Sequence, residues 1–323
     1  MDTIGTIGEG QMSSGALSAA SQPVVVSVAS AVKARASMQQ RHWIELADNL
    51  QALARIPDGT IPLIYIDPPF NTGARQVRTL TRSTAAPPAG GDRTGFGGRR
   101  YATETLDRQM YPDSFADYLA FLAPRLREGY RVLAAHGTFY LHLDQREVHY
   151  VKVFMDELFG RAAFLNEIIW AYDYGGRSRR RWPAKHDTIL VYVKDPANYV
   201  FNSDAVDREP YMAPGLVTPE QALRGKLPTD VWWHTIVSPT GREKTGYPSQ
   251  KPLGVLKRIV AASSCPDDVV LDFFAGAGTT GAAAVTLGRR FHLIDDNPAA
   301  IATMRARFAD LPDLTIDETG VAK

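Results

Sequence analysis

Asp67-Pro68-Pro69-Phe70 sets a carboxylate, two rigid rings and an aromatic face in consecutive positions. The prolines fix φ and carry no N–H, so the carbonyls around them stay free to accept hydrogen bonds from a ligand. An ionised Asp67 only accepts hydrogen bonds, and Phe70 offers a flat surface for stacking. A planar ligand with an exocyclic amino group suits all three features, and a nucleobase is such a ligand. The same residues would also serve as a stiffened strand end leading into a helix cap.

A second constellation lies some two hundred positions later. Gly276-Ala277-Gly278-Thr279-Thr280-Gly281 fits G-x-G-x-x-G between the apolar stretch Val269-Val270-Leu271-Asp272 and an alanine-rich helix. Glycines there let a ligand approach the backbone, and the helix start faces it. An acidic residue is expected roughly 20 residues on, at the end of the next strand, to hold a ribose hydroxyl. Asp295 closes Arg290-Phe291-His292-Leu293-Ile294 at that point. The pattern alone does not separate a nicotinamide dinucleotide from S-adenosylmethionine or from a bare tight turn. A third segment, Gly246-Tyr247-Pro248-Ser249-Gln250-Lys251-Pro252, precedes a helix with apolar residues at Leu253, Leu256, Ile259 and Val260. By itself it reads equally well as a helix N-terminus.

In this order the three segments resemble the circularly permuted β class of S-adenosylmethionine-dependent DNA amino-methyltransferases, whose catalytic strand precedes the cofactor loop. Asp67-Pro68-Pro69-Phe70 resembles their Asp-Pro-Pro-Tyr/Phe motif, and Asn71-Thr72-Gly73 resembles the extension of the adenine-N6 members. Asp295-Asp296-Asn297-Pro298 is similar to the acidic-x-Asn-Pro turn. Tyr247 to Pro252 is similar to a Tyr/His-Pro-Thr-Gln-Lys-Pro segment, with Ser249 in place of threonine. The likeness runs from about residue 42 to about residue 310 and looks most like the modification subunits of bacterial restriction–modification systems.

The resemblance implies catalytic roles for Asp67, Pro68, Pro69 and Phe70. It implies an S-adenosylmethionine site formed by Asp48, Gln250, Lys251, Pro252, Asp272, Phe274, Gly276, Gly278, Thr279, Asp295 and Asn297. Asp295 would hold the ribose and Asp48 the adenine, although Asp48 alone reads as a helix N-cap. Double-stranded DNA is the implied substrate, contacted by Asn71, Arg75, Arg78, Arg177, Arg179, Arg180 and Arg181. The target base must leave the stack, at a cost of a few kcal/mol. Asn71 would also help orient Asp67. A second copy of the chain and a restriction subunit are candidate partners, in a bacterial, nucleoid-associated, cytoplasmic setting. An aspartate at Gly278 is expected to obstruct the cofactor.

Composition narrows the rest. The chain has 323 residues, 45% apolar and 10% aromatic, a net charge of +1 and a single cysteine, Cys265. That excludes a disulfide framework, and no apolar run reaches the ~20 residues of a membrane span. The seven histidines show no ligand spacing for a metal. Charge is local rather than global. Arg75, Arg78, Arg82, Arg93, Arg99 and Arg100 face only Asp92 within 75–100, and Arg177, Arg179, Arg180, Arg181 and Lys185 meet no acid. Two such stretches in a near-neutral chain point to a polyanion.

The competing readings are cytosine-N4, RNA or protein-amide methylation, a nicotinamide oxidoreductase, and a silent DNA-binding module. Cytosine-N4 members more often carry serine where Asp67 stands, and an oxidoreductase leaves Asp67-Pro68-Pro69-Phe70 unexplained.

The elements that must position these residues alternate. Strands are expected at 42–46, 61–66, 137–143, 164–171, 187–193, 269–272 and 290–295, with helices between them. That pattern gives an α/β, Rossmann-like, mostly parallel seven-stranded sheet covered on both faces. Residues 1–37 are expected as a disordered Gly/Ser/Ala-rich tail, with Met38 as an alternative start. The catalytic half spans 38–194, with a long polar DNA-contacting loop at 74–111. A small target-recognition insert spans 195–245, the cofactor half 246–310 and a C-terminal tail 311–323. Such sheets bind ligands beyond the carboxyl ends of their strands, so Asp67, Gly276 and Asp295 should share one crevice.

Overall fold

The computed structural model describes residues 42–71, 74–85, 87, 90–94, 99–113, 115–174, 177–238 and 241–319. The expected tail at 1–37 lies outside these residues, and so do the side chains of Arg75 and Arg78.

Strand β2 (Ile61–Ile66) shows why the sheet sits at the centre. Leu63, Ile64 and Ile66 are fully buried although they point to opposite faces. That two-sided burial marks a parallel strand covered by helices above and below. Pro62 is tolerated near the strand start, where the register with the next strand shifts between Ile61 and Leu63. The remaining sheet strands are β1 (His42–Leu46), β6 (Leu133–Leu143), β7 (Phe164–Ala171), β8 (His186–Val193), β9 (Val231–Trp233), β10 (Val269–Asp272), β11 (Arg290–Asp295) and β12 (Leu314–Asp317). Their spatial order is β12-β1-β11-β10-β2-β6-β8-β7-β9. Only β8 runs antiparallel to its neighbours, β6 and β7.

The sheet therefore has nine strands, not the expected seven. The additional two are short edge strands, β9 and β12. Each joins a strand that the sequence does show, β9 on β7 and β12 on β1. They fall inside the stretches expected as an insert and a tail.

The stretch 74–111 also departs from its expected loop. Strand β3 (Ala74–Ala85) pairs antiparallel with β5 (Arg100–Asp113), and the short β4 (Arg93–Thr94) pairs with β5, giving a separate three-stranded sheet. Thr79, Thr81, Thr84, Thr103 and Thr105 supply β-branched residues along the two long strands. The glycines and prolines that read as loop fall between Pro87 and Gly98, outside those two strands.

Seven α-helices among the described residues complete the layers: α1 (Asn49–Leu53), α2 (Tyr118–Val132), α3 (Val148–Phe159), α4 (Pro219–Arg224), α5 (Leu253–Ser263), α6 (Thr279–Thr286) and α7 (Pro298–Arg307). Asp48 caps α1 through Gln51 N, and Asp117 caps α2 through Ala120 N. Helices α1, α2 and α3 pack on one face with Phe139 and Phe273. Helices α5, α6 and α7 cover the other with Phe291 and Trp232. Each fully buried aliphatic side chain contributes about 1.5–3 kcal/mol, which makes these two cores the frame for everything at the strand ends. No helix among the described residues is long and apolar enough to cross a membrane.

Candidate active site

Strands β10 and β2 are neighbours, but the chain leaves them in opposite directions, β10 toward β11 and β2 toward β6. Their carboxyl ends therefore open a crevice at a topological switch point. A cavity of about 880 Å³ fills it, lined from one side by Asp67, Pro68, Pro69 and Phe70 and from the other by Phe274, Gly276, Thr279, Asp295 and Asn297. That volume is in the range of ligand sites.

Asp67 presents two different oxygens. Oδ2 accepts from Lys251 Nζ at 2.5 Å. Oδ1 is buried and has no hydrogen-bond partner among the described residues. An orphaned buried carboxylate oxygen costs free energy unless a ligand supplies a donor. The ring of Phe70 has Lys251 Nζ 4.8 Å from its centroid and the His142 ring 5.9 Å away.

A buried polar chain supports this wall, and sequence reasoning assigns it no role. His142 Nδ1 pairs with the Tyr65 hydroxyl at 2.8 Å, and His142 Nε2 with Asp187 at 3.3 Å. Tyr172 donates to the other oxygen of Asp187 at 3.0 Å. Burial alone would raise the Asp187 carboxyl, but His142 and then Lys251 hold it below its usual value. Burial, with Asp67 second, pushes the Tyr65 hydroxyl well up. The only sequence signal is period-two spacing, which puts Tyr65 on the same side of β2 as Asp67.

Asn71 Nδ2 donates to Glu147 at 2.7 Å, and its Oδ1 accepts from Phe115 N at 2.9 Å. With φ of 53° it turns the chain out of the motif and ties it to α2 and α3.

On the cofactor side, Asp295 Oδ2 accepts from Gly276 N at 2.8 Å and Oδ1 from Asn297 N at 2.9 Å. Burial raises its carboxyl to about 6 against these two backbone donors. Asp272 is buried deeper. It accepts from Thr280 Oγ1 and Phe274 N, and burial raises it to about 7. Asp272 thus shapes the glycine turn as well as lining the cavity. Asn297 caps α7 through Ala299 N and reaches the Tyr247 hydroxyl at 3.3 Å.

The two glycines differ. A Cβ on Gly276 would meet only Tyr247, at 3.4 Å, so this position faces the cavity. A Cβ on Gly278 would fall 2.7 Å from Met304 Cγ and 3.1 Å from Phe308. A side chain at Gly278 would therefore enter the core beneath α7 rather than the cavity.

Gln250 lines the cavity and is held within its own loop by bonds to Glu243 O, Thr245 N and Thr245 Oγ1. Pro252 sits at the N-cap of α5. Asp48 caps α1 and pairs with Arg125 at 3.2 Å, whereas Asn49 and Arg125 line the cavity. Tyr247, the first residue of the Tyr/His-Pro-Thr-Gln-Lys-Pro-like segment, also lines it, and so do Phe115 and Phe121, which no sequence signal singles out for that place.

Arg177, Arg179, Arg180 and Arg181 are exposed. They lie between β7 and β8, whose ends Ala171 and His186 pair beside Leu143 and Thr188 at the crevice edge of the sheet. Trp182 follows them, 95% exposed. Trp232 is buried and Trp233 is 77% exposed, so only one of the two packs in the core. Among the described residues no cluster of His, Cys, Asp and Glu could hold a metal.

A family model described as "DNA methylase" matches residues 61–305. Over 258 residues the chain is 31% identical to DNA adenine methyltransferase YhdJ of Escherichia coli (strain K12), covering 77% of this chain and 76% of that protein. It is 30% identical to Type II methyltransferase M.HpaI of Haemophilus parainfluenzae, covering 80% and 71%. Among solved structures, the PvuII DNA methyltransferase, cytosine-N4-specific, aligns with a TM-score of 0.57 at 14% identity over 84% of this chain and 88% of that one. The M1.HpyAVI–SAM complex aligns with a TM-score of 0.52 at 20% identity, over 82% and 98%. At these identities the two structures speak for the fold.

Proposed function

Because the chain belongs to the DNA methylase family, its activity is methyl transfer to DNA, and we propose that the acceptor is the N6 amino group of adenine in double-stranded DNA, flipped into the crevice. The carrying observation is the orphaned Oδ1 of Asp67 on the cavity wall. The 31% identity to an adenine methyltransferase supports the base assignment, as does the Asp67-to-Gly73 wording.

S-adenosylmethionine supplies a methyl group activated by a sulfonium. The residues present fit it. Gly276 leaves room where any side chain would project toward Tyr247, and Asp295 can accept from a diol while held by two backbone donors. Acidic Asp67, Asp295 and Asp296 outnumber the cations Arg125 and Lys251 on the wall, which favours a cationic donor. An aromatic amino nitrogen is a weak nucleophile because its lone pair is delocalised into the ring. Asp67 Oδ1 and the Pro68 carbonyl can accept from its two hydrogens, draw it toward a tetrahedral shape and localise the lone pair. The nitrogen so held would take up the methyl group that bound S-adenosylmethionine would supply, and one amino proton would leave toward Asp67. Orientation and exclusion of water supply the rate.

The β3–β5 ribbon, residues 195–245 and the Arg177–Arg181 segment are proposed to grip and read the duplex, with Trp182 as an exposed stacking surface. Replacing Arg177, Arg179, Arg180 and Arg181 together by glutamine should weaken binding to all sequences alike. The log–log salt slope should fall by about 0.9 for each phosphate that the protein no longer neutralises. An unchanged slope contradicts the assignment. A homodimer and a restriction partner are proposed as well.

Cofactor binding should depend on pH through Asp295. Above its value of about 6 the carboxylate is ionised and accepts from a ribose diol. As pH falls through 6 it gains a proton, and affinity should drop by up to about tenfold per unit. Calorimetric titration from pH 8 to pH 5 checks this, and Asp295→Asn should bind weakly with a flat profile. Full affinity at pH 5 would refute the role.

The acceptor base is tested by expressing the chain in a bacterial host free of DNA methylation and digesting its DNA to nucleosides. N6-methyladenine supports the proposal, and N4-methylcytosine moves the same mechanism to the other base.

A further inference from the structure

We infer that Lys251 is a positioning residue for the acceptor carboxylate: its ammonium anchors Asp67 Oδ2 and thereby turns Oδ1 toward the target amino group. This deepens the proposed function and rests on it. The resemblance placed Lys251 with the cofactor, but the geometry places it on Asp67.

Several observations converge. The pair is 2.5 Å long with both side chains mostly buried, Lys251 at 10% and Asp67 at 16% exposure. The two oxygens of Asp67 are differentiated, one held by the ammonium and one orphaned on the cavity wall. A free carboxylate rotates about its last torsion with a broad, roughly two-fold profile. A single strong donor on one oxygen removes that freedom and fixes where the other points.

The arm that delivers the ammonium is itself braced. Gln250 Nε2 holds Glu243 O at 2.7 Å, Thr245 N holds Gln250 Oε1 at 2.8 Å, and Leu253 N holds the Glu243 carboxylate at 3.1 Å. These bonds pin the backbone on both sides of Lys251, so Gln250 serves the loop while Lys251 serves Asp67. Lys251 Nζ also lies 4.8 Å from the Phe70 ring centroid. The acceptor, its anchor and the stacking face are thus one unit joined across 184 positions of sequence. Asp187 feels the same ammonium from behind, but it is already taken by His142 and Tyr172. That leaves Asp67 as the carboxylate whose orientation depends on Lys251.

The test compares Lys251→Met, Lys251→Gln and Lys251→Arg with wild type, measuring turnover at saturating DNA and S-adenosylmethionine, KM for DNA, and cofactor Kd by calorimetry. Lys251→Met and Lys251→Gln are expected to lower kcat by about 100-fold, the scale of one oriented group at a reacting centre. Cofactor Kd should stay within a few fold, and Lys251→Arg should recover most of the lost kcat. In an Asp67→Asn background, Lys251→Met should lower the residual rate no further, because the carboxylate to be positioned is gone. A rise in cofactor Kd with kcat preserved at saturation would overturn the inference and make Lys251 a cofactor ligand. Additive losses in the double variant would also overturn it. If Asp67→Asn is itself fully active, the underlying mechanism fails. If Asp67→Asn is inactive and Lys251→Met is not, only the role of Lys251 fails. Thermal melting of each variant separates loss of fold from loss of rate.

Discussion

Asp67→Ala should bind S-adenosylmethionine as tightly as the wild type and transfer methyl groups at least about 10³-fold more slowly. Removing one preorganised hydrogen-bonding group from a reacting centre costs about 10²–10³ in kcat. The alanine variant loses both the orphaned Oδ1 and the charge that Lys251 anchors. The proposed cofactor contacts stand apart, on β10, β11 and the glycine turn, so binding should survive. Asp67→Ala also strands the Lys251 ammonium, which is only 10% exposed, so Asp67→Asn is the companion that keeps a partner for it. Single-turnover transfer and cofactor calorimetry on both variants decide the matter. Wild-type rate in either would remove Asp67 from the chemistry.

Gly278→Asp should fail by unfolding rather than by excluding the cofactor. Gly278 has φ of 69°, and its Cβ position lies 2.7 Å from Met304 Cγ with Phe308 behind it. Left-handed strain in a non-glycine residue costs about 1–3 kcal/mol, and overpacking a core about 1–3 kcal/mol more. A loss of roughly 2–6 kcal/mol lowers the melting temperature by about 5–20 °C in a domain of this size. Gly276→Val is the contrast. Gly276 shares the left-handed backbone, with φ of 50°, but its Cβ meets only Tyr247, at 3.4 Å, so Gly276→Val should carry the backbone strain without the overpacking, melt above Gly278→Asp and lose cofactor affinity. If Gly278→Asp melts normally and merely loses the cofactor, the glycine turn has been assigned the wrong way round.

That reversal marks what a sequence conveys at this site. G-x-G-x-x-G announces a turn and a helix, because glycine at those positions is a backbone requirement. It does not say which glycine faces a ligand and which faces Met304, since that depends on where α7 packs. Asp67, Phe70 and Asp295 are legible because each follows or closes a strongly apolar strand whose end must meet the crevice. Lys251 is visible as part of a motif, but its partner is 184 positions away and no local pattern encodes that distance. His142, Tyr65 and Asp187 sit inside ordinary strand wording, and only the β2-β6-β8 neighbourhood joins them into a chain. That same neighbourhood places β8 inside the sheet, between β6 and β7. Strands β9 and β12 escape because three or four residues carry too little periodicity. The ribbon at β3 and β5 reads as loop because arginine and glycine mask its threonine-rich strands.

The most direct test of the central claim is to incubate the purified protein with tritiated S-adenosylmethionine and unmethylated bacterial genomic DNA, and then to separate the product nucleosides. Label recovered in N6-methyladenine, and absent when Asp67→Ala replaces the wild type, is the expected result. No label in any nucleoside, from protein that binds the cofactor, would contradict it.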